Sequence, residues 1–190
     1  GNLIFSETNG SRIGIFNTNT LTASVLMDLD TFSSVTSVVS GGTVDGNMGG
    51  GAFFYNNSYY FTVEDVDGAG AEHSRLFRAN LNTAHTAITT ISLVTFGGGN
   101  PWLGDFGDMA ALSNGTVYGS SSGSSAGVMD GFWRFNIENP AAGFTTINAS
   151  TASSQLAFSL SGTTLYASQF SAGNLGTINL TTGTFTSNGS

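Results

Sequence analysis

The feature that most constrains the fold is a pattern that recurs four times along the chain. Its clearest copies read Asp-Met-Ala-Ala-Leu-Ser-Asn-Gly-Thr-Val-Tyr-Gly over 108–119 and Leu-Ala-Phe-Ser-Leu-Ser-Gly-Thr-Thr-Leu-Tyr-Ala over 156–167. In each copy, short runs of alternating polar and apolar residues are separated by turn residues, which is typical of antiparallel strands. A repeat of about 45 residues that contains four such runs predicts a propeller blade.

The copies span about 1–30, 51–95, 105–149 and 153–188, with Phe16, Leu81, Ile137 and Leu180 in equivalent positions. We therefore predict an all-β chain, 1–190, that folds as one β-propeller-like domain of about four antiparallel four-stranded blades; a β-sandwich is the alternative. The first copy begins at its second strand and is incomplete. Either the segment 31–44 supplies the missing strand within the chain, or the open edge pairs with another subunit.

The composition agrees with a folded, turn-rich chain. Gly, Ser, Thr and Asn occur 27, 25, 24 and 17 times among 190 residues, about half of the chain. The hydrophobic fraction is nevertheless 39% and the aromatic fraction 12%, whereas only 8% of the residues are charged. Disordered chains have the opposite balance, so the polar residues are expected in turns and at outward-facing strand positions.

The charges exclude several classes of partner. The net charge is -8, and the chain has four Arg, no Lys and no Cys. Nucleic acids and anionic membrane surfaces need a basic footprint, which this chain lacks. No apolar run approaches the roughly 20 residues of a membrane-spanning helix, so we predict no membrane insertion.

The blade sequences and the Ile-Asn-Leu-Thr-Thr-Gly segment over 178–183 resemble blades of secreted bacterial β-propellers. Similar blades occur in surface proteins of the PEP-CTERM type, which share this Ser/Thr/Asn/Gly composition. The resemblance is best over 105–188, weaker over 51–95 and partial over 1–30. It implies an extracellular or cell-surface bacterial protein.

One acidic segment is a candidate cation site. Asp65, Asp67 and Glu72 lie within eight residues of each other around Gly68 and Gly70. Carboxylates on a flexible turn suit Ca²⁺, although the spacing is not that of the helix-loop-helix calcium loop. A solvated acidic hairpin is the preferred interpretation and a Ca²⁺ site the alternative, and no other cofactor is expected.

Trp102 and Asp105 form a candidate sugar-contact site. They lie in the segment Asn-Pro-Trp-Leu-Gly-Asp over 100–105, next to a Gly-rich run. An exposed Trp with polar neighbours can stack on a sugar ring, but a large aromatic near a blade connection also fills the space between blades.

No catalytic residues are predicted. Two Gly-x-Ser-x-Gly matches, at 119–123 and 123–127, lie in a Ser/Gly run without the helix that a nucleophile elbow needs. The only histidines, His73 and His85, have no recognisable nucleophile beside them. Asn-x-Ser/Thr triplets make six asparagines candidate glycan acceptors: Asn9, Asn56, Asn114, Asn148, Asn179 and Asn188.

These observations predict a non-enzymatic, secreted or cell-surface structural protein that associates with copies of itself, as a filament subunit with edge-strand complementation between subunits. A carbohydrate-binding, lectin-like propeller with glycan partners is the first alternative. A propeller hydrolase or lyase is the second, and it requires clustered carboxylates at the central channel.

Overall fold

The structure, a computed structural model, describes residues 2–7, 10–39, 48–66, 72–97, 102–103, 107–121, 131–151, 155–169 and 173–189. These residues form an all-β protein whose four small antiparallel sheets are arranged as a four-bladed β-propeller. The predicted fold class is therefore confirmed, and the β-sandwich alternative is not. No helix among the described residues is long and apolar enough to cross a membrane.

Over the described residues, sixteen strands make up the four sheets. The first sheet contains β1 (Asn2–Ser6), β2 (Arg12–Asn17) and β3 (Thr22–Asp28). The second contains β4 (Met48–Tyr55), β5 (Ser58–Val66), β6 (Glu72–Leu81) and β7 (Ile88–Leu93), with β8 (Trp102–Leu103) paired to β6. The third contains β9 (Gly107–Ala111), β10 (Thr116–Ser121), β11 (Gly131–Asn136) and β12 (Phe144–Asn148). The fourth contains β13 (Gln155–Phe158), β14 (Leu165–Ser168), β15 (Leu175–Ile178) and β16 (Phe185–Ser187).

In every sheet consecutive strands are neighbours and form a meander, except that β8 pairs with β6 and not with β7. The last three sheets have β4, β9 and β13 as their first strands, and β9 lies against both of the others. These three strands therefore line the centre of the array. Among the described residues the first sheet has three strands, as predicted, and none of the three corresponds to β4, β9 or β13.

Three apolar clusters hold the sheets together, one between each pair of neighbours. Phe61 and Phe77 of the second sheet pack against Ile13 of the first. The opposite face of the second sheet packs against Trp133 and Phe135 of the third sheet. The third and fourth sheets meet through residues such as Phe132 and Leu165. An inner sheet of this array therefore buries apolar side chains on both of its faces. Burial on two faces explains how a chain with so many polar residues forms a core.

The segment after the first sheet differs from one of our two predictions. Over its described part, 31–39, it does not form a strand. A 3-10 turn at Leu29–Thr31 leads into the single-turn helix α1 (Ser33–Thr36), which places Leu29, Val35 and Val39 in the cluster between the first two sheets. The valines are therefore core-filling residues, because they cover the end of this cluster rather than pair with a strand edge. Residues 40–44 lie outside the described residues.

The pairing registers also correct one predicted equivalence. Tyr60, Tyr118 and Tyr166 lie opposite Arg78, Arg134 and Thr177, and Ile4 lies opposite Ile15 in the same way. Leu81, Ile137 and Leu180 each lie three residues after the second member of their pair, so these three are equivalent. Phe16 lies only one residue after Ile15, so it is equivalent to Ala79, Phe135 and Ile178. Asn17, at the end of β2, is equivalent to Asn136 and Asn179. In all three turns the Asn side-chain oxygen accepts a backbone N–H from two residues ahead.

Candidate functional site

The first sheet has an open edge at β1. This strand pairs only with β2 over the described residues, from Asn2 opposite Asn17 to Ser6 opposite Ile13. Its side chains are unusually exposed for apolar residues: Leu3 is 59% exposed and Phe5 39%. An unpaired strand edge presents backbone donors and acceptors that a further strand can use.

A groove lies between the open strand β1 and strand β4 of the second sheet. Its volume is about 400 Å³. Its lining is mostly apolar or aromatic and consists of Asn2, Leu3, Ile4, Ala52, Phe53, Phe54, Tyr59 and His85. We call this the β1 groove. Its position beside both β1 and a central strand corresponds to the place of the missing strand.

The walls of the β1 groove are held by a tight hairpin turn. Asn56 and Asn57, with φ values of 45° and 60°, connect β4 to β5 while Tyr55 pairs with Ser58. Positive φ at both central residues is the type I′ geometry, for which Asn is well suited. The Asn57 amide donates to the carbonyl of Leu81 at 2.7 Å, and its oxygen is hydrogen-bonded to His85 Nε2.

His85 and Tyr59 complete this wall. The His85 ring meets the half-exposed Phe54 edge to face, with 5.5 Å between ring centroids. Tyr59 is buried under the groove and its phenol is hydrogen-bonded to the Ser6 hydroxyl, which ties β1 to the second sheet. Burial is the main reason that the pKa of Tyr59 is raised. The groove is thus a preformed surface with few ionisable groups in its lining.

The second candidate site is the buried carboxyl group of Asp108. Its carboxylate accepts backbone N–H groups from all three central strands: Met109 and Leu156 at 2.8 Å each, and Ala52. Burial nevertheless raises the pKa of Asp108 to about 6, more than the three hydrogen bonds lower it. The neighbouring cavity measures only about 10 Å³, room for about one water molecule. Asp108 therefore joins the centres of three blades, and the cavity beside it is too small for an organic substrate.

The predicted cation site is only partly described. Asp65 and Glu72 lie at the ends of β5 and β6, where Asp65 pairs with His73 and Val66 with Glu72. This pairing agrees with a hairpin, whereas Asp67 lies outside the described residues. Among the described residues no three His, Cys, Asp or Glu side chains are grouped to hold a metal ion. Ca²⁺ binding here stays a prediction.

The predicted sugar-contact site is also only partly described. Trp102 lies in β8, where it pairs with Arg75 at the outer side of the second sheet. Asp105 lies outside the described residues. Glycan binding by these residues therefore stays a prediction.

Five of the six candidate glycan acceptors are described, and Asn9 is outside the described residues. Asn114, Asn148 and Asn179 use their side-chain oxygens to accept the backbone N–H two residues ahead. Asn56 donates to Glu138 at 3.2 Å, and Asn188 is exposed after β16. The first three asparagines therefore also satisfy the local backbone in their turns. Glycosylation of any of these residues stays a prediction.

Sequence reasoning did not identify Phe54, His85 and Asn57 as neighbours of the open edge, and it gave Asp108 no role. No local signal could have identified them. Asp108 and Leu156 are 48 residues apart in sequence, and Asn57 and His85 are 28 residues apart.

Comparison with known proteins gives a likeness in fold. No family model matches the chain, and no curated protein matches it in sequence. A gluconolactonase from Xanthomonas campestris aligns with 97% of the chain at 14% identity and a TM-score of 0.53. A Thermus thermophilus protein named as an oxidoreductase (glucose dehydrogenase) aligns with 88% at 14% identity and a TM-score of 0.49.

The chain spans about half the length of these structures, 56% and 54% respectively. An identity of 14% shows the fold alone, so neither activity transfers to this chain. By fold, the chain is similar to the β-propeller of the gluconolactonase.

Proposed function

We propose that this chain is a non-enzymatic, secreted or cell-surface structural protein that associates with copies of itself at the incomplete first sheet. The observation that carries the proposal is the open edge of β1 beside the β1 groove. Natural proteins usually protect such edges with charges, prolines or covering elements. Here the exposed residues of the edge include Leu3 and Phe5, and no Lys exists in the chain to protect it.

The β1 groove suits an extended segment of a second subunit. Such a segment forms backbone hydrogen bonds with β1 and places alternate side chains against Phe54 and Tyr59. This contact joins two different surfaces, so it repeats from copy to copy and builds rings or filaments. The proposed secreted or cell-surface location rests on composition: few charges, no Cys, no Lys, and many Ser, Thr and Asn residues.

Sedimentation velocity and negative-stain microscopy of the purified chain test this proposal. We expect assemblies that grow with protein concentration. Phe54→Lys, which places a charge in the groove, should weaken association at least tenfold. Leu21→Lys is the matched control, because Leu21 is 74% exposed in the turn between β2 and β3 and does not line the groove. A strictly monomeric wild-type protein at high concentration would falsify the proposal.

Carbohydrate binding through Trp102 and Asp105 is the alternative proposal. Its support is the polar and aromatic composition of the segment, together with the position of Trp102 in the short strand β8. A glycan array with a Trp102→Ala control tests it, and signals that are equal for both proteins would remove it. A propeller hydrolase or lyase has less support, since the carboxylate of Asp108 is engaged by backbone donors at the central strands.

A further inference from the structure

The four sheets repeat one arrangement of side chains on the face that points toward the next sheet. Two residues on adjacent strands mark this face, and we call them the forward pair. The forward pairs are Ile4 and Ile13, Tyr60 and Leu76, Tyr118 and Phe132, and Tyr166 and Leu175. In every pair the second residue lies two positions before the register partner of the first, so the four pairs are structurally equivalent.

The forward pairs differ sharply in burial. Tyr60 and Leu76 are 3% and 0% exposed against the third sheet, and Tyr118 and Phe132 are 6% and 0% exposed against the fourth. Ile4 and Ile13 pack in the same way in the cluster with the second sheet. The equivalent residues of the fourth sheet, Tyr166 and Leu175, are 48% and 66% exposed. The last sheet therefore has a face built like the three internal interfaces, but that face is uncovered.

The first sheet has the complementary uncovered face. The residue just before each forward pair points to the opposite face of its sheet. In the last three sheets this residue packs against the preceding sheet and is at most 6% exposed: Tyr59, Val117 and Leu165. Leu3 holds the equivalent position in the first sheet and is 59% exposed. Phe5 and Val25 share its face, because Phe5 and Val25 both pair with Gly14. They are 39% and 55% exposed.

We infer that the uncovered face of the fourth sheet stacks on the uncovered face of the first sheet of a second copy of this chain. This inference rests on the proposed self-association and identifies a surface for it in addition to the β1 groove. The contact continues the sheet order of the chain across two molecules. Its two sides are different surfaces, so it propagates head to tail.

The internal interfaces favour a second copy as the occupant. Each of them is formed by a forward pair and by the opposite face of the next repeat, and this chain supplies both surfaces, one at each end. At the interface of the third and fourth sheets, Tyr118 and Ala167 belong to one cluster. The equivalent residues at the inferred contact are Tyr166 of one copy and Phe5 of the next.

Cysteine cross-linking tests the contact directly, because the natural sequence contains no Cys. Tyr166→Cys and Phe5→Cys are prepared as separate variants, checked for native circular dichroism, mixed, and oxidised with dissolved oxygen and a copper catalyst. We expect a covalent dimer in the mixture, at least tenfold more abundant than in either variant alone. Leu160→Cys mixed with Phe5→Cys is the control, because Leu160 is fully exposed in the turn after β13 rather than on the face.

The outcomes separate this inference from the proposed function. Wild-type protein that assembles, combined with a cross-link no stronger than the Leu160 control, overturns the stacking contact and leaves self-association at another surface. A dominant dimer of Tyr166→Cys with itself also overturns it, because like faces would then meet. Monomeric wild-type protein overturns both ideas.

A second pair of variants gives the same test without cysteine. Leu175→Ser should weaken self-association at least tenfold in sedimentation velocity, whereas Leu160→Ser should change it less than twofold. Both leucines are exposed in the single copy, so neither substitution removes an internal contact of the core. Equal effects of the two substitutions contradict the inference.

Discussion

The indole ring of Trp133 occupies the space that a side chain of Gly119 would need. The two residues are direct partners on adjacent strands, and a Cβ added at Gly119 would come within 2.0 Å of the ring. The indole N–H donates to Ser121 Oγ at 3.0 Å, which fixes the ring in this position. Trp133 can therefore fill the cluster between the second and third sheets only because residue 119 is Gly.

Gly119→Ala should lower the free energy of unfolding by about 1–3 kcal/mol, the usual cost of overpacking a core. The effect should shrink in a Trp133→Leu background, where the ring is absent. Urea denaturation of the wild type, both single variants and the double variant measures this coupling. The same loss in both backgrounds would show that the ring is not the cause.

Asp108 should make stability depend on pH in the direction opposite to an ordinary carboxylate. Its folded pKa of about 6 lies above the ordinary value of 3.8, so its favourable contribution is complete below about pH 4 and is lost as the pH rises through 6. A difference of about two pKa units corresponds to about 3 kcal/mol. The unfolding free energy of the wild type minus that of Asp108→Ser should fall by this order between pH 4 and pH 7.

Carboxyl carbon shifts in NMR measure the Asp108 pKa directly. A midpoint near 6 is expected for the wild type. A midpoint below 4, or a stability difference that is flat with pH, would contradict the assignment of burial as the dominant cause.

Asn57 combines a left-handed backbone with two side-chain contacts. At a φ of 60°, Gly is tolerated and Ala is strained by about 1 kcal/mol. We therefore expect the melting temperature to decrease in the order wild type, Asn57→Gly, Asn57→Ala. The Gly variant loses only the hydrogen bonds to Leu81 and His85, whereas the Ala variant loses these bonds and is also strained. Thermal unfolding followed by circular dichroism checks this order, and an Ala variant as stable as the Gly variant would count against it.

The acidic hairpin should behave as a solvated turn. Chelation with EDTA should leave the melting temperature unchanged, and millimolar Ca²⁺ should raise it no more in the wild type than in Asp67→Asn. A Ca²⁺-dependent increase that Asp67→Asn abolishes would instead support the cation site at Asp65, Asp67 and Glu72.

The sequence predicted the strands well because alternation is a local property. Trp133, Phe135 and Ile137 occupy alternate positions, so extended backbone directs their side chains to the same face. The structure places all three in one cluster. The segment around Val35 and Val39 was harder to predict. Its valines suit either a strand or a buried turn, and only the space between the first two sheets selects the turn.

The sequence by itself therefore determined the all-β class, the four repeats and the three-stranded form that the first sheet has over the described residues. The tertiary structure decided which chemistry those repeats bring together: the carboxylate of Asp108 across three blades, and the β1 groove beside Phe54 and His85. It also decided that Tyr166 is exposed while the equivalent Tyr60 and Tyr118 are buried. The physical reason is that burial depends on which sheet lies against a face, and a repeated sequence cannot encode that difference locally.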